Sequence, residues 1–125
     1  MMATLGARLL HAEDGRVVIA APIDASFSQQ HGAAHAAVAF ALGDSAAGYA
    51  ALTRITPPLE VMTAEMKINL LAPAVGDMLE AVGEVARAGR RLVVVRAEVF
   101  ALALGSRRSI ALLQGTMVPV DPVKA

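Results

Sequence analysis

Cysteine is absent from the 125-residue chain, which excludes disulfides, thiolate metal sites and cysteine nucleophiles together. Three histidines are too few for a histidine-rich centre, so neither a metal nor a cofactor is expected. Eleven Lys and Arg balance eleven Asp and Glu, leaving no basic field to hold a phosphate backbone or anionic lipid; no nucleic-acid partner is expected. The longest uncharged stretch, Ala25 to Gly43, is broken by Ser26, Ser28, two glutamines and two histidines, so no membrane span is predicted. The first residues, MMATLGARLLHAEDGR, lack the basic start and apolar core of a signal peptide, and a cytoplasmic location is the default expectation.

Aromatic residues make up only 3% of a chain that is 56% hydrophobic, so Ala, Val, Leu and Met carry the apolar content and backbones can approach closely. That much apolar surface exceeds what one small core can hide, and the excess reads as subunit interface. Length allows one domain, residues 1–125.

The run Arg8 to Ile23 reads as a hairpin turning at Glu13-Asp14-Gly15, because Asp-Gly supplies the positive φ such turns need. Asp24 to Gly32 reads as a loop, with His31 in it. Ala33 to about Leu52 contains no Pro and is apolar on all sides, the pattern of a buried helix that Pro57 and Pro58 forbid from continuing. Alternation follows: Met62, Ala64, Met66, Ile68 and Leu70 on one face, Thr63, Glu65, Lys67 and Asn69 on the other, a half-buried strand. Further strands are predicted at Met78 to Arg87 with Glu80 and Glu84 outward, around Val93 to Ala101, and from Arg108 to Val118. A hairpin, one helix and four strands on short turns make an α+β fold, an antiparallel sheet curled around one long buried helix.

Asp44 is the one formally charged side chain between Asp24 and Arg54, and an isolated carboxylate on an apolar helix is costly. It is either a general base or nucleophile in a partly dry pocket, or the cap of a second helix begun after a break at Gly43. His35 stands in the first helical turn, where unpaired amides and the dipole favour an anion or a developing oxyanion; a structural role for it is equally open. Ala36 and Asp44 lie ~12 Å apart along the helix axis and ~80° around it. One small reacting group therefore cannot touch both, and a site that uses both must join two subunits across a two-fold axis.

The segments Gln29-Gln30-His31-Gly32-Ala33-Ala34-His35-Ala36-Ala37 and Ala41-Leu42-Gly43-Asp44-Ser45-Ala46-Ala47-Gly48-Tyr49-Ala50 resemble the signature of hotdog-fold acyl-CoA thioesterases of the phenylacetate-pathway (PaaI-like) type. Met66 to Pro73, the turn Gly89-Arg90-Arg91 and the closing Gln114 to Val118 fit the same pattern. The resemblance implies a hotdog fold and a homo-oligomer, a dimer at least and a tetramer as a dimer of dimers. It implies Asp44 as general base or nucleophile and Ala36 as the residue whose N–H polarises the thioester carbonyl, with His35 preceding it. Gln29 would help to hold water or substrate, and Thr63 would line the site beside Asp44. Asp44 and Thr63 would come from one subunit, Gln29, His35 and Ala36 from its partner.

The family usually has His-Gly-Gly where this chain has His35-Ala36-Ala37; alanine keeps the donor but adds a Cβ near the thioester. Arg90 and Arg91, then Arg107 and Arg108, lie at turns where they could meet the phosphates of CoA or serve as ordinary solvated charges. Met62, Met66 and Leu70 would suit many acyl chains. The expected activity is hydrolysis of an acyl-CoA thioester to free acid and CoA; the alternative is a non-catalytic hotdog module that binds acyl-CoA or a related ligand.

Overall fold

The computed structural model describes residues 1–29 and 32–123, so the expectation placed on His31 lies outside the described residues. Strands β1 (Arg8–Glu13) and β2 (Arg16–Pro22) form the hairpin, turning at Gly15 with φ 76°. A short 3₁₀ turn (Ala25–Phe27) leads to helix α1 (Ala36–Leu52), followed by β3 (Glu60–Leu70), β4 (Met78–Ala88), β5 (Val93–Ala103) and β6 (Ser106–Val120). Six strands in the order β1-β2-β4-β5-β6-β3, antiparallel at every pairing, wrap one face around α1. This is the antiparallel sheet around one helix that the sequence pattern predicts, and the hotdog arrangement that the resemblance implies.

Three features differ from expectation. The helix begins at Ala36 rather than Ala33 because residues just before it are held extended. The Ala34 amide donates to Ala74 O at 3.0 Å, the His35 amide donates to Phe27 O at 2.9 Å, and His35 itself has φ −61° and ψ 141°. The last strand is longer than Arg108 to Val118, since the tight turn at Gly105, φ 70°, lets pairing start at Ser106↔Ala103. In the single chain the helix is buried along one arc only. Val38, Ala39, Leu42, Gly43, Ala46, Ala47, Ala50 and Ala51 face the sheet, while Ala37, Ala41, Asp44, Ser45, Gly48 and Leu52 remain partly or fully open.

Small residues set the helix against the sheet. A Cβ on Gly83 of β4 would lie 2.3 Å from the Ala46 carbonyl carbon, far inside van der Waals contact, so only glycine lets the backbones pass there. At its far end the helix is tied to the hairpin, where the Gly15 amide donates to Thr53 Oγ1 at 2.8 Å and Arg54 pairs with Asp14. The predicted inward face of β5, Val93, Val95, Ala97, Val99 and Ala101, is buried. Glu80 and Glu84 point to the outer face, as expected, and pair there with Arg107 and with Arg16 and Arg96.

Strand β3 is one edge of the sheet, opposite β1, and is paired to β6 alone. Its predicted alternation fails at Ala64, where the register slips between Thr63↔Met117 and Glu65↔Thr116. That bulge inserts one residue and reverses the facing of everything before it. Thr63 thus joins Met66 and Ile68 on the helix side, and Met62, 57% exposed, turns outward. Leu70 is equally exposed. Met62, Met66 and Leu70 therefore do not form one acyl-facing wall, and β3 is more open than a half-buried strand.

Candidate active site

Helix α1 runs unbroken through Gly43 and Asp44, which removes the alternative in which Asp44 caps a second helix. Its side chain emerges on the open arc, and the Thr63 hydroxyl donates to Asp44 Oδ1 at 2.7 Å. The bulge at Ala64 makes this bond possible, because strict alternation would aim Thr63 away from the helix. Thr63 Oγ1 also lies 3.3 Å from the Met117 sulfur. A hydroxyl has one proton and a carboxylate is the stronger acceptor, so that proton belongs to Asp44 and the thioether acts as an apolar wall. No ion pair involves Asp44 among the described residues; its partner is a neutral hydroxyl on one side, and the other side is open.

At the helix start His35 is the N-cap, not a first-turn residue as expected. Its Nδ1 accepts from the Ala37 amide at 3.0 Å, which fixes that nitrogen as unprotonated in this arrangement and uses the Ala37 donor. The Val38 amide donates to His35 O at 2.9 Å. Among the described residues the Ala36 amide has no acceptor, and Ala36 is exposed. A free N–H at the positive end of a helix is a donor ready for an oxyanion. The Ser28↔Ala34 bridge brings the preceding loop alongside, and Gln29 is held there by its amide donating to Ala33 O at 2.7 Å and its carbonyl accepting from Gly32 N–H at 3.0 Å. Asp24 anchors the loop's beginning; hydrogen bonds from the Ser26 hydroxyl and amide hold its carboxyl below the ordinary value.

Asp44 and Thr63 meet. Gln29 lies in the loop that runs antiparallel to Ala33–His35, just ahead of Ala36, and ~12 Å of helix axis separates Ala36 from Asp44. Two grooves, of about 500 and 450 Å³, lie elsewhere. The first lies over the outer sheet face, and the second between the hairpin and the end of α1 near Tyr49 and Leu52; neither is lined by Asp44 or Ala36.

Arg90 and Arg91 are exposed in the β4–β5 turn. Register aligns Val93, Met117 and Thr63 across β5, β6 and β3, so this turn leaves the sheet at the same end as Thr63. Arg107 lies 2.8 Å from Glu80 and is stacked 3.5 Å over the Phe100 ring. Met117, 1% exposed, is a contact of Thr63 that the sequence marks only through the β6 alternation, which puts Leu113, Gly115 and Met117 on the helix side. No helix among the described residues is long and apolar enough to cross a membrane.

Similarity to known proteins follows the same lines. A thioesterase family protein from Silicibacter pomeroyi shares 39% identity, covering 97% of this chain and 89% of that one, with a TM-score of 0.94. The Saccharolobus solfataricus protein named "Putative esterase SSO2140" is 31% identical over 94 residues, 75% of this chain; the match spans 66% of that relative's length. Bacillus halodurans BH2602, whose crystal structure contains CoA, is 20% identical with a TM-score of 0.85, covering 98% of this chain and 79% of that one, a likeness of fold. The pattern that defines the Thioesterase superfamily matches residues 31–105, three-fifths of the chain, and this protein belongs to that family.

Proposed function

We propose that the protein is an acyl-CoA thioesterase of the PaaI-like type, active as a homodimer or as a tetramer built from two dimers, in the cytoplasm. The observation that carries this reading is the Thr63 hydroxyl bonded to Asp44 at 2.7 Å on the open arc of an otherwise apolar helix. A carboxylate held by one neutral donor keeps its second oxygen available. The apolar arc around it is the surface a partner helix would cover. With a partner in place, Asp44 and Thr63 of one subunit face Gln29, His35 and Ala36 of the other, and the single domain supplies half of each of two sites.

In that site the thioester carbonyl oxygen accepts from the Ala36 N–H, with the helix dipole behind it. Asp44 takes a proton from a water held beside Gln29 as the water oxygen bonds to the carbonyl carbon. The tetrahedral intermediate collapses, the carbon–sulfur bond breaks, and the proton passes to the departing CoA sulfur. Direct attack by Asp44 on the carbonyl, through a mixed anhydride that water then opens, uses the same geometry. His35 acts through the helix it caps, holding Ala36 in place. Arg90 and Arg91 meet the CoA phosphates; the CoA bound to the similarly folded Bacillus halodurans protein supports a ligand of that class. A hydrolysis screen over acetyl-, hexanoyl-, palmitoyl- and phenylacetyl-CoA, read by thiol release, tests the proposal. Release of CoA with at least one ester at enzymatic rates is the expected result, and none with any ester contradicts it.

A further inference from the structure

The glycines of the helix and its contact surface differ in what they make room for. Gly83 is required by the Ala46 backbone at 2.3 Å, and a Cβ on Gly43 would meet the Leu113 methyls at 2.8 Å. Gly48 is different. Its Cβ would find only the Met117 methyl, at 3.8 Å, an ordinary contact. Nothing among the described residues asks for glycine there, and glycine in a helix interior is unfavourable relative to alanine.

Gly48 follows Asp44 by one turn, ~6 Å along the axis and ~40° around it, on the same open arc. Met117 links the two positions physically, with its sulfur 3.3 Å from Thr63 Oγ1 and its terminal methyl next to the Gly48 position. The missing side chain therefore leaves the half-open Gly48 position unfilled, above the buried Met117 and one turn from Asp44 and Thr63. We infer that Gly48 is a specificity-determining residue, whose missing side chain admits the body of the acyl group while the thioester carbonyl sits at Asp44; this rests on the thioesterase reading. An acetyl group ends short of Gly48. A hexanoyl or longer chain, or the ring of a phenylacetyl group, lies against it, so the substrates are acyl-CoA esters larger than acetyl.

Gly48→Ala and Gly48→Leu test the inference in the full-length protein, with kcat/KM measured for acetyl-, hexanoyl- and phenylacetyl-CoA. Thermal melting and light scattering accompany each variant. The expected result is a loss that grows with acyl size: the hexanoyl-to-acetyl ratio of kcat/KM falls ~10-fold or more, the scale set by a methylene in an apolar pocket. Melting temperature and oligomeric state stay as in the unmodified protein for Gly48→Ala. Equal loss for all three esters, an unchanged profile, or dissociation of the oligomer by Gly48→Ala would each overturn the inference, the last by assigning the glycine to subunit packing. If the unmodified protein hydrolyses none of the esters, the functional reading fails instead. Gly48 is then tested by affinity: Gly48→Leu must weaken binding of S-hexyl-CoA more than that of S-ethyl-CoA, and equal weakening overturns it.

Discussion

Thr63 Oγ1 and Asp44 Oδ1 stand 2.7 Å apart across the junction of an edge strand and the central helix, 19 residues apart in sequence. The bond exists because a bulge at Ala64 turns Thr63 inward, and it fixes one carboxylate oxygen while leaving the other without a partner among the described residues.

Removing that hydroxyl should slow the chemical step without weakening substrate binding. Thr63→Val keeps the shape and loses the donor; at a half-open carboxylate the bond is worth the low end of ~1.5–3 kcal/mol, so kcat falls ~10-fold at unchanged KM. Thr63→Ser restores the donor and most of the rate. Steady-state kinetics on the three proteins check this, and equal rates for the Val and Ser variants would contradict a positioning role.

The sheet and helix were legible in the sequence because period and turn chemistry agree: Asp14-Gly15 turns the hairpin, and alternate valines and alanines of β5 fill the core. What the pattern could not carry was a single inserted residue. An unbroken run of alternating residues from Met62 to Leu70 gives no sign of a bulge, yet the bulge decides that Thr63, not Met62, faces the helix. The helix start was misplaced for a similar reason. Ala33 and Ala34 have helical propensity, but pairing of Ala34 with Ser28 and Ala74 overrides it and makes His35 the cap. Asp44 stands out because a lone charge on an apolar helix is rare, whereas Met117 has the pattern of any core methionine.

Because ~12 Å separates Ala36 from Asp44 within one chain, activity should be recoverable between inactive chains. Co-expressed Asp44→Asn and Gln29→Ala/His35→Ala chains form mixed dimers in which one of two sites is intact, giving about a quarter of the unmodified activity on random pairing. Sites confined to single chains would give only the sum of the two parents.

Gly83→Ala should destabilise the fold through overpacking, since its Cβ meets backbone 2.3 Å away and backbone cannot rotate aside. A loss of ~1–3 kcal/mol or more is expected in chemical denaturation. An unchanged midpoint would mean that the helix does not pass the sheet this closely.

Replacing Arg90 and Arg91 together by Ala should raise KM for acyl-CoA several-fold, leave kcat nearly unchanged, and reduce the salt dependence of KM. An acyl-pantetheine ester lacks the nucleotide phosphates and should show no change in KM. A parallel rise in KM for both substrates would place the arginines elsewhere than on those phosphates.

Asp44→Asn tests with the least ambiguity whether Asp44 performs the chemical step. Asparagine preserves the size of the side chain and can still accept from Thr63, but it lacks the basic, nucleophilic oxygen. The decisive measurement is single-turnover hydrolysis of an acyl-CoA that the unmodified protein cleaves, with binding and thermal melting followed in parallel. Affinity and melting temperature should hold while the rate falls ~10² to 10⁴-fold or more; equal single-turnover rates for the two proteins would rule out a chemical role for Asp44.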